Sequence, residues 1–155
     1  MASDYSSHSK QLIYSLKFDG AQAAATVMSR AMQDALPYLE DVVLVPVPTA
    51  TSRARKRGYD QAKLLTKGLA HLTNLPIQSL LGRLGQTRQV GTKKYQREAQ
   101  LKEAFWPLSP ARTRGARIIL VDDVITTGAS LEQAARVLRQ AGAKTVDAVV
   151  FAQKQ

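Results

Sequence analysis

Two adjacent carboxylates, Asp122 and Asp123, stand just ahead of Thr126-Thr127-Gly128-Ala129-Ser130. Ionised carboxylates only accept hydrogen bonds, so the pair suits sugar hydroxyls rather than phosphate. The hydroxyls of Thr126, Thr127 and Ser130 can donate to an anion, and the opening turn of a helix offers it unpaired N–H groups. Gly128 allows backbone conformations closed to other residues and lets an anion come close. Acids for hydroxyls beside a turn for phosphate make a site for a phosphorylated sugar. Two plainer readings exist: a capped strand–turn–helix, and a receiver-like phosphorylation site with paired Asp. Neither needs tandem threonines before the glycine.

A second cluster runs from Val45-Pro46-Val47-Pro48 through Thr49, Ala50, Thr51 and Ser52 to Arg53 and Arg57. The prolines end a strand by removing donors, and the small hydroxylated run leaves backbone N–H groups available. Arg53 and Arg57, four residues apart, can fork onto one anion. In isolation this is a positively charged surface turn. Beside the first motif it reads as a second anion site.

The pattern of apolar residues supplies the elements that must position these groups. Leu12, Ile13 and Leu16 predict a helix over His8 to Phe18, stopped by Asp19-Gly20. A second helix is expected from Ala21 to Leu36, ended by Pro37. Val42 to Val47 is continuously apolar, as a central strand is. A helix follows from about Asp60 to Leu72. Ile77 to Leu84 reads as a short strand, Gly85 to Ala99 as a long polar loop, Leu101 to Trp106 as a weak strand, and Pro107 to Gly115 as a surface connection. A strand from Arg117 to Val121, a helix from Ala129 to Ala141 with Gly142 at its end, and a strand from Val146 to Ala152 complete the chain. Strands alternating with helices predict an α/β fold, a parallel sheet covered on both faces, with ligands at the carboxyl ends of strands.

The 155 residues carry a net charge of +10. The excess is not spread evenly. Arg53 to Arg117 holds 15 Lys/Arg against 3 Asp/Glu, and the remainder holds 7 against 9. Such a block points to polyanions: pyrophosphate, nucleotide or nucleic acid. There is no cysteine, which rules out a disulfide framework and thiolate metal sites. No apolar run reaches the roughly 18 residues of a membrane span. The start of the chain lacks the basic-then-apolar pattern of a secretion signal, so the expected compartment is the cytoplasm. Residues 1–10 read as a disordered lead to a single domain over 1–155.

The Asp-Asp-x-x-Thr-Thr-Gly-x-Ser stretch resembles the phosphoribosyl pyrophosphate (PRPP) loop of type I phosphoribosyltransferases. Val45-Pro46-Val47-Pro48, Arg53, and Arg57-Gly58-Tyr59-Asp60-Gln61-Ala62 narrow the resemblance to the competence-associated ComF/GntX family. Leu12 to Gly20, Arg83-x-x-x-Thr87-x-Gln89, and Arg97 ahead of Ala104-Phe105 also fit, so the resemblance runs from about Leu12 to Ala152.

The resemblance implies the parallel-sheet, Rossmann-like type I phosphoribosyltransferase fold. It places the ribose hydroxyls at Asp122 and Asp123, the catalytic pair, and the 5′-phosphate on Thr126, Thr127, Gly128, Ala129 and Ser130. It places pyrophosphate at Pro48, Thr49, Ala50, Arg53 and Arg57, under a loop offering Lys93, Lys94 and Arg97. Mg2+ is implied as a partner of PRPP, with competence and DNA-uptake proteins as wider partners. The usual amino-terminal zinc-binding cysteines are missing, so zinc is not implied. Asp60 stands where Asn is usual, and Gln100 and Glu103 where Asn and Gly are usual. The implied activity is Mg-dependent phosphoribosyl transfer to an unidentified nitrogen acceptor. The alternative is a non-catalytic PRPP- or nucleotide-binding protein that assists single-stranded DNA handling. Tyr14, Phe18 and Tyr59 are candidate base-stacking residues, though their positions suit a core.

The charge block generates a test. If many basic residues act together on single-stranded DNA, filter retention falls with salt at a log–log slope of about −0.7 per phosphate neutralised. Replacing Lys93, Lys94 and Arg97 flattens that slope while leaving PRPP binding intact. No retention even at low salt would exclude the polymer.

Overall fold

The structure, a computed structural model, describes residues 3–4, 7–18, 21–37, 40–49, 59–83 and 105–154. Its main sheet contains four parallel strands in the order β1-β6-β5-β2: β1 Ser3–Asp4, β2 Val42–Pro46, β5 Arg117–Ile125 and β6 Thr145–Gln153. The helices are α1 Ser7–Phe18, α2 Ala21–Asp34, α3 Gln61–Thr73, α4 Pro110–Thr113 and α5 Ala129–Gln140. Two short strands, β3 Leu81–Arg83 and β4 Phe105–Pro107, pair antiparallel as a separate small sheet.

Alternation along the strands divides the core in two, because successive side chains point to opposite faces. Ile119 and Val121 of β5 join Val42 and Leu44 of β2 under α1, α2 and α3. Ile118 and Leu120 face the other way, with Leu131, Ala134 and Leu138 of α5 and Leu81 and Phe105 of the small sheet. The buried stripes of α3 and α5 recur at three- and four-residue spacing.

The structure adds detail to the elements read from sequence and departs from that reading in places. Strand β5 does not stop at Val121. It continues through both acids to Ile125, because β6 keeps pairing with it as far as Ile125↔Gln153. The expected strand Ile77 to Leu84 is divided. Ile77 makes a single bridge to Leu44, and only Leu81–Arg83 forms a strand, in the other sheet. The connection after Pro107 contains α4, which opens on Pro110. Helix α1 begins at Ser7 and Ser3–Asp4 pairs with β6, both inside the stretch expected to be a disordered lead. Tyr14 is 58% exposed and not in the core. The side chain of Phe18, and the loop expected over 85–99, lie outside what is described.

Helices α2 and α3 meet at a glycine. The Ser29 hydroxyl, fully buried, donates to the Leu65 carbonyl at 3.1 Å. A Cβ added at Gly68 would lie 2.4 Å from the Ser29 oxygen and 3.0 Å from its Cβ. Alanine favours a helix over glycine by about 1 kcal/mol, but here the steric clash dominates. Gly68→Ala is therefore expected to destabilise the protein by about 1–3 kcal/mol, the usual cost of overpacking. A lower denaturant midpoint at unchanged slope would register it, and a higher midpoint would contradict the packing argument.

Candidate functional site

The site is a step in the sheet. Strand β2 ends its ladder with β5 at Pro46↔Val121, and the Val47 N–H adds one bond to the Val121 carbonyl at 3.0 Å. Proline has no N–H, so Pro46 and Pro48 cannot extend the pairing. Strand β5 runs four residues further. Asp122 to Ile125 thus pass beyond the end of β2, and a cavity of ≈ 380 Å3 opens there. This volume lies within the roughly 300–1,000 Å3 of small-molecule sites.

One wall carries the acids. The Asp123 N–H donates to Asp122 Oδ1 at 2.9 Å, and the Val124 N–H to Asp123 Oδ1 at 2.8 Å. Each carboxylate is thereby held by the next backbone amide. Burial, together with the neighbouring Asp123 charge, pushes the Asp122 carboxyl up from 3.8 to about 8. The amide hydrogen bond and the Arg83 guanidinium oppose that rise without cancelling it.

The wall continues into the turn. Gly128 has φ 78°, in the left-handed region, and precedes α5 without a side-chain cap. Thr127 Oγ1 reaches the Ala129 N–H at 3.4 Å, a weak contact. The first turn of a twelve-residue helix therefore opens on the cavity, with Thr126, Thr127, Ala129 and Ser130 exposed around it. That arrangement suits an anion.

Pro48 and Thr49, just past the end of β2, also line the cavity and are fixed from two sides. Asp60 accepts from the Thr49 N–H through Oδ2 and from the Thr49 hydroxyl through Oδ1, both at 3.2 Å. The same Oδ1 accepts from the Lys63 N–H, so Asp60 also caps α3. An asparagine, with one acceptor oxygen, could not hold all three donors as acceptor. On the other side Arg83 donates to the Pro48 carbonyl at 3.2 Å and lies 4.9 Å above the centre of the Phe105 ring.

The cavity brings together Asp122, Asp123, Thr126, Thr127, Gly128, Ala129, Ser130, Pro48 and Thr49. Ala50, Arg53, Arg57, Lys93, Lys94 and Arg97 lie outside the described residues. Three polar or charged residues that line the cavity were not among those expected from sequence: Gln61, Arg83 and Lys154. Arg83 and Gln61 were visible only as members of longer motifs. Nothing in their spacing told that the small sheet and α3 turn them toward the acids. Tyr59 is half-buried and its hydroxyl donates to the Leu16 carbonyl, which ties the segment before α3 to α1. Among the described residues no group of three or more His, Cys, Asp or Glu side chains forms a metal cluster, and no helix is long and apolar enough to cross a membrane.

Comparison with known proteins agrees with this fold. Residues 22–155 match the phosphoribosyl transferase domain. The chain is 39% identical over 100 residues to competence protein ComFC of Bacillus subtilis, covering 64% of this chain and 39% of that protein. It is 35% identical to competence protein F of Haemophilus influenzae, covering 66% and 46%. DNA utilization protein YhgH of Salmonella typhimurium is 30% identical over 155 residues, covering 93% and 66%. The chain thus spans less than half the length of these two competence proteins. Among solved structures, glutamine PRPP amidotransferase from B. subtilis, complexed with ADP and GMP, superposes with a TM-score of 0.59 at 20% identity, covering 85% of this chain and 27% of that one.

The enclosed acid has a measurable cost. The folded protein keeps the Asp122 proton up to about pH 8, whereas a carboxyl in the unfolded chain loses it near 3.8. Between those values the folded state binds more protons, so stability falls as pH rises through that window. In metal-free protein, Asp122→Asn is expected to raise stability at pH 8 by about 1–3 kcal/mol, with the gain fading toward pH 4. Thermal unfolding at the two pH values checks this. An equal effect at both would show that the carboxyl is not held neutral.

Proposed function

The chain belongs to the phosphoribosyl transferase domain family, as a ComF-type member, and we propose that its cavity binds PRPP together with Mg2+. One observation carries the reading. The acid pair, an uncapped helix start and the Pro48–Thr49 segment all line one cavity. The 5′-phosphate takes the Thr126–Ser130 turn, and the ribose hydroxyls take Asp122 and Asp123. The pyrophosphate lies toward Pro48, Thr49 and the Arg83 guanidinium, with Ala50, Arg53 and Arg57 following in the chain.

Two carboxylates on one cavity wall also fit Mg2+, which uses one or two carboxylates, ligand oxygens and several waters. Asp122 and Asp123 are the groups that would reach it. When bound, the ion supplies charge neutralisation for pyrophosphate and ribose oxygens. Arg83, already fixed to the Pro48 carbonyl, adds a rigid cation on the same side.

The reaction this arrangement serves is displacement at ribose C1. A bond from a nitrogen nucleophile forms as the bond to the pyrophosphate oxygen breaks, and pyrophosphate leaves with the electron pair. The protein acts by positioning and by preorganised charge. Lys93, Lys94 and Arg97 are proposed to meet the leaving group. The names of the relatives link them to competence and DNA utilization. On that ground, and on the basic block, we place this chain in DNA uptake, in the cytoplasm, with single-stranded DNA as a weak second ligand. A PRPP-binding protein without transfer activity satisfies the same observations, and pyrophosphate release in a screen of bases separates the two.

Calorimetric titration with PRPP and Mg2+ is the primary test. Replacing both acids, Asp122→Asn with Asp123→Asn, is expected to lower affinity roughly 100–10,000-fold, since charged hydrogen bonds contribute about 1.5–3 kcal/mol each. Far-ultraviolet dichroism should stay unchanged. Gly128→Val should abolish ribose 5-phosphate binding, because a β-branched residue does not adopt φ 78° and its side chain would fill the anion's approach. Unaltered PRPP affinity in the double variant would remove the ribose assignment.

A further inference from the structure

Gln61 is the first residue of α3 and only 3% exposed. Its side-chain nitrogen is buried with no hydrogen-bond partner among the described residues. The residue nevertheless lines the cavity. Its neighbour Asp60 offers a contrast in the same turn, where both carboxylate oxygens are engaged. A buried donor without an acceptor is costly, and such groups gather where a ligand completes the bonding. The last side-chain torsion of glutamine is soft and two-fold, so a rotation in place turns the amide nitrogen toward the cavity.

The position of Gln61 selects which part of the ligand it meets. It follows directly on Asp60, which holds Thr49, so it stands at the Pro48–Thr49 end. The Thr126–Ser130 turn instead follows β5 and opens α5. On the PRPP reading above, the group at the Pro48–Thr49 end is the pyrophosphate on ribose C1. We infer that Gln61 donates its amide N–H to a pyrophosphate oxygen and thereby favours PRPP over ribose 5-phosphate, which has no such group. A neutral donor suits this place. It can be buried in the empty cavity at far lower cost than an ammonium or guanidinium, and it still bonds to an anionic oxygen.

The inference rests on the PRPP reading, and the experiment separates the two. PRPP and ribose 5-phosphate are titrated at fixed Mg2+ into the wild-type chain, Gln61→Met and Gln61→Glu. Gln61→Met is expected to lower PRPP affinity roughly 10–100-fold and to leave ribose 5-phosphate within about twofold. The ligand-free methionine variant should also unfold at a higher temperature than wild type, because the unsatisfied donor is gone. Gln61→Glu keeps the length of the side chain but offers a carboxylate to phosphate, so it should lower PRPP affinity further. It carries the same test if the methionine variant does not fold.

Wild-type protein that binds no PRPP overturns both readings. Wild type that binds, with Gln61→Met binding equally well, overturns this one alone. An equal loss for both ligands overturns the pyrophosphate assignment, and a less stable methionine variant shows Gln61 to be a structural residue.

Discussion

The length difference between β2 and β5 is the constraint on which the site depends. The two strands are in register from Val42↔Arg117 to Pro46↔Val121, and there the ladder stops because two prolines in three residues deny it donors. Strand β5 has another partner in β6 and does not need β2 to continue. The result is a backbone edge that carries acids and, among the described residues, has no strand neighbour on one side. A longer β2 would cover Asp122 and Asp123 and leave no cavity.

That edge places two acids in a partly enclosed space, and their surroundings only partly relieve the cost of ionising both. Asp122 and Asp123 are held by successive backbone amides, and the guanidinium of Arg83 is the cation that opposes the rise of the Asp122 carboxyl. Arg83 is committed elsewhere as well, to the Pro48 carbonyl and the Phe105 ring. The empty site is therefore electrostatically incomplete. A ligand rich in hydroxyl donors and accompanied by a cation supplies what the wall lacks, and such strained carboxylates are a common mark of binding sites.

How much of this was legible in the sequence follows from the range of each signal. The acid pair and the Thr126–Ser130 turn are contiguous, and strand, turn and helix each leave a local periodicity, so both motif and setting could be read directly. The parallel sheet followed from the alternation of elements. The small sheet did not, since three-residue strands such as Leu81–Arg83 carry too little pattern to separate from loop. The end of β5 was misread at Val121 because acids are poor strand formers, and pairing with β6 overrides that preference. Arg83 and Gln61 are separated from Asp122 by dozens of residues, and only packing through β3 and α3 brings them to one cavity. Tyr14 lies beside the Leu12, Ile13 and Leu16 stripe but at one- and two-residue separations from it, and it sits on the outer side of α1.

The antiparallel pairing Arg83↔Phe105 has an evolutionary consequence. Departure and return of the stretch 84–104 are pinned to one point by a stem whose other face packs into the core. Closing a chain between fixed ends depends only logarithmically on its length, and doubling it adds about 0.6 kcal/mol. The stem therefore turns the insert into an exchangeable cassette. A change in its length alone costs the sheet little through chain closure.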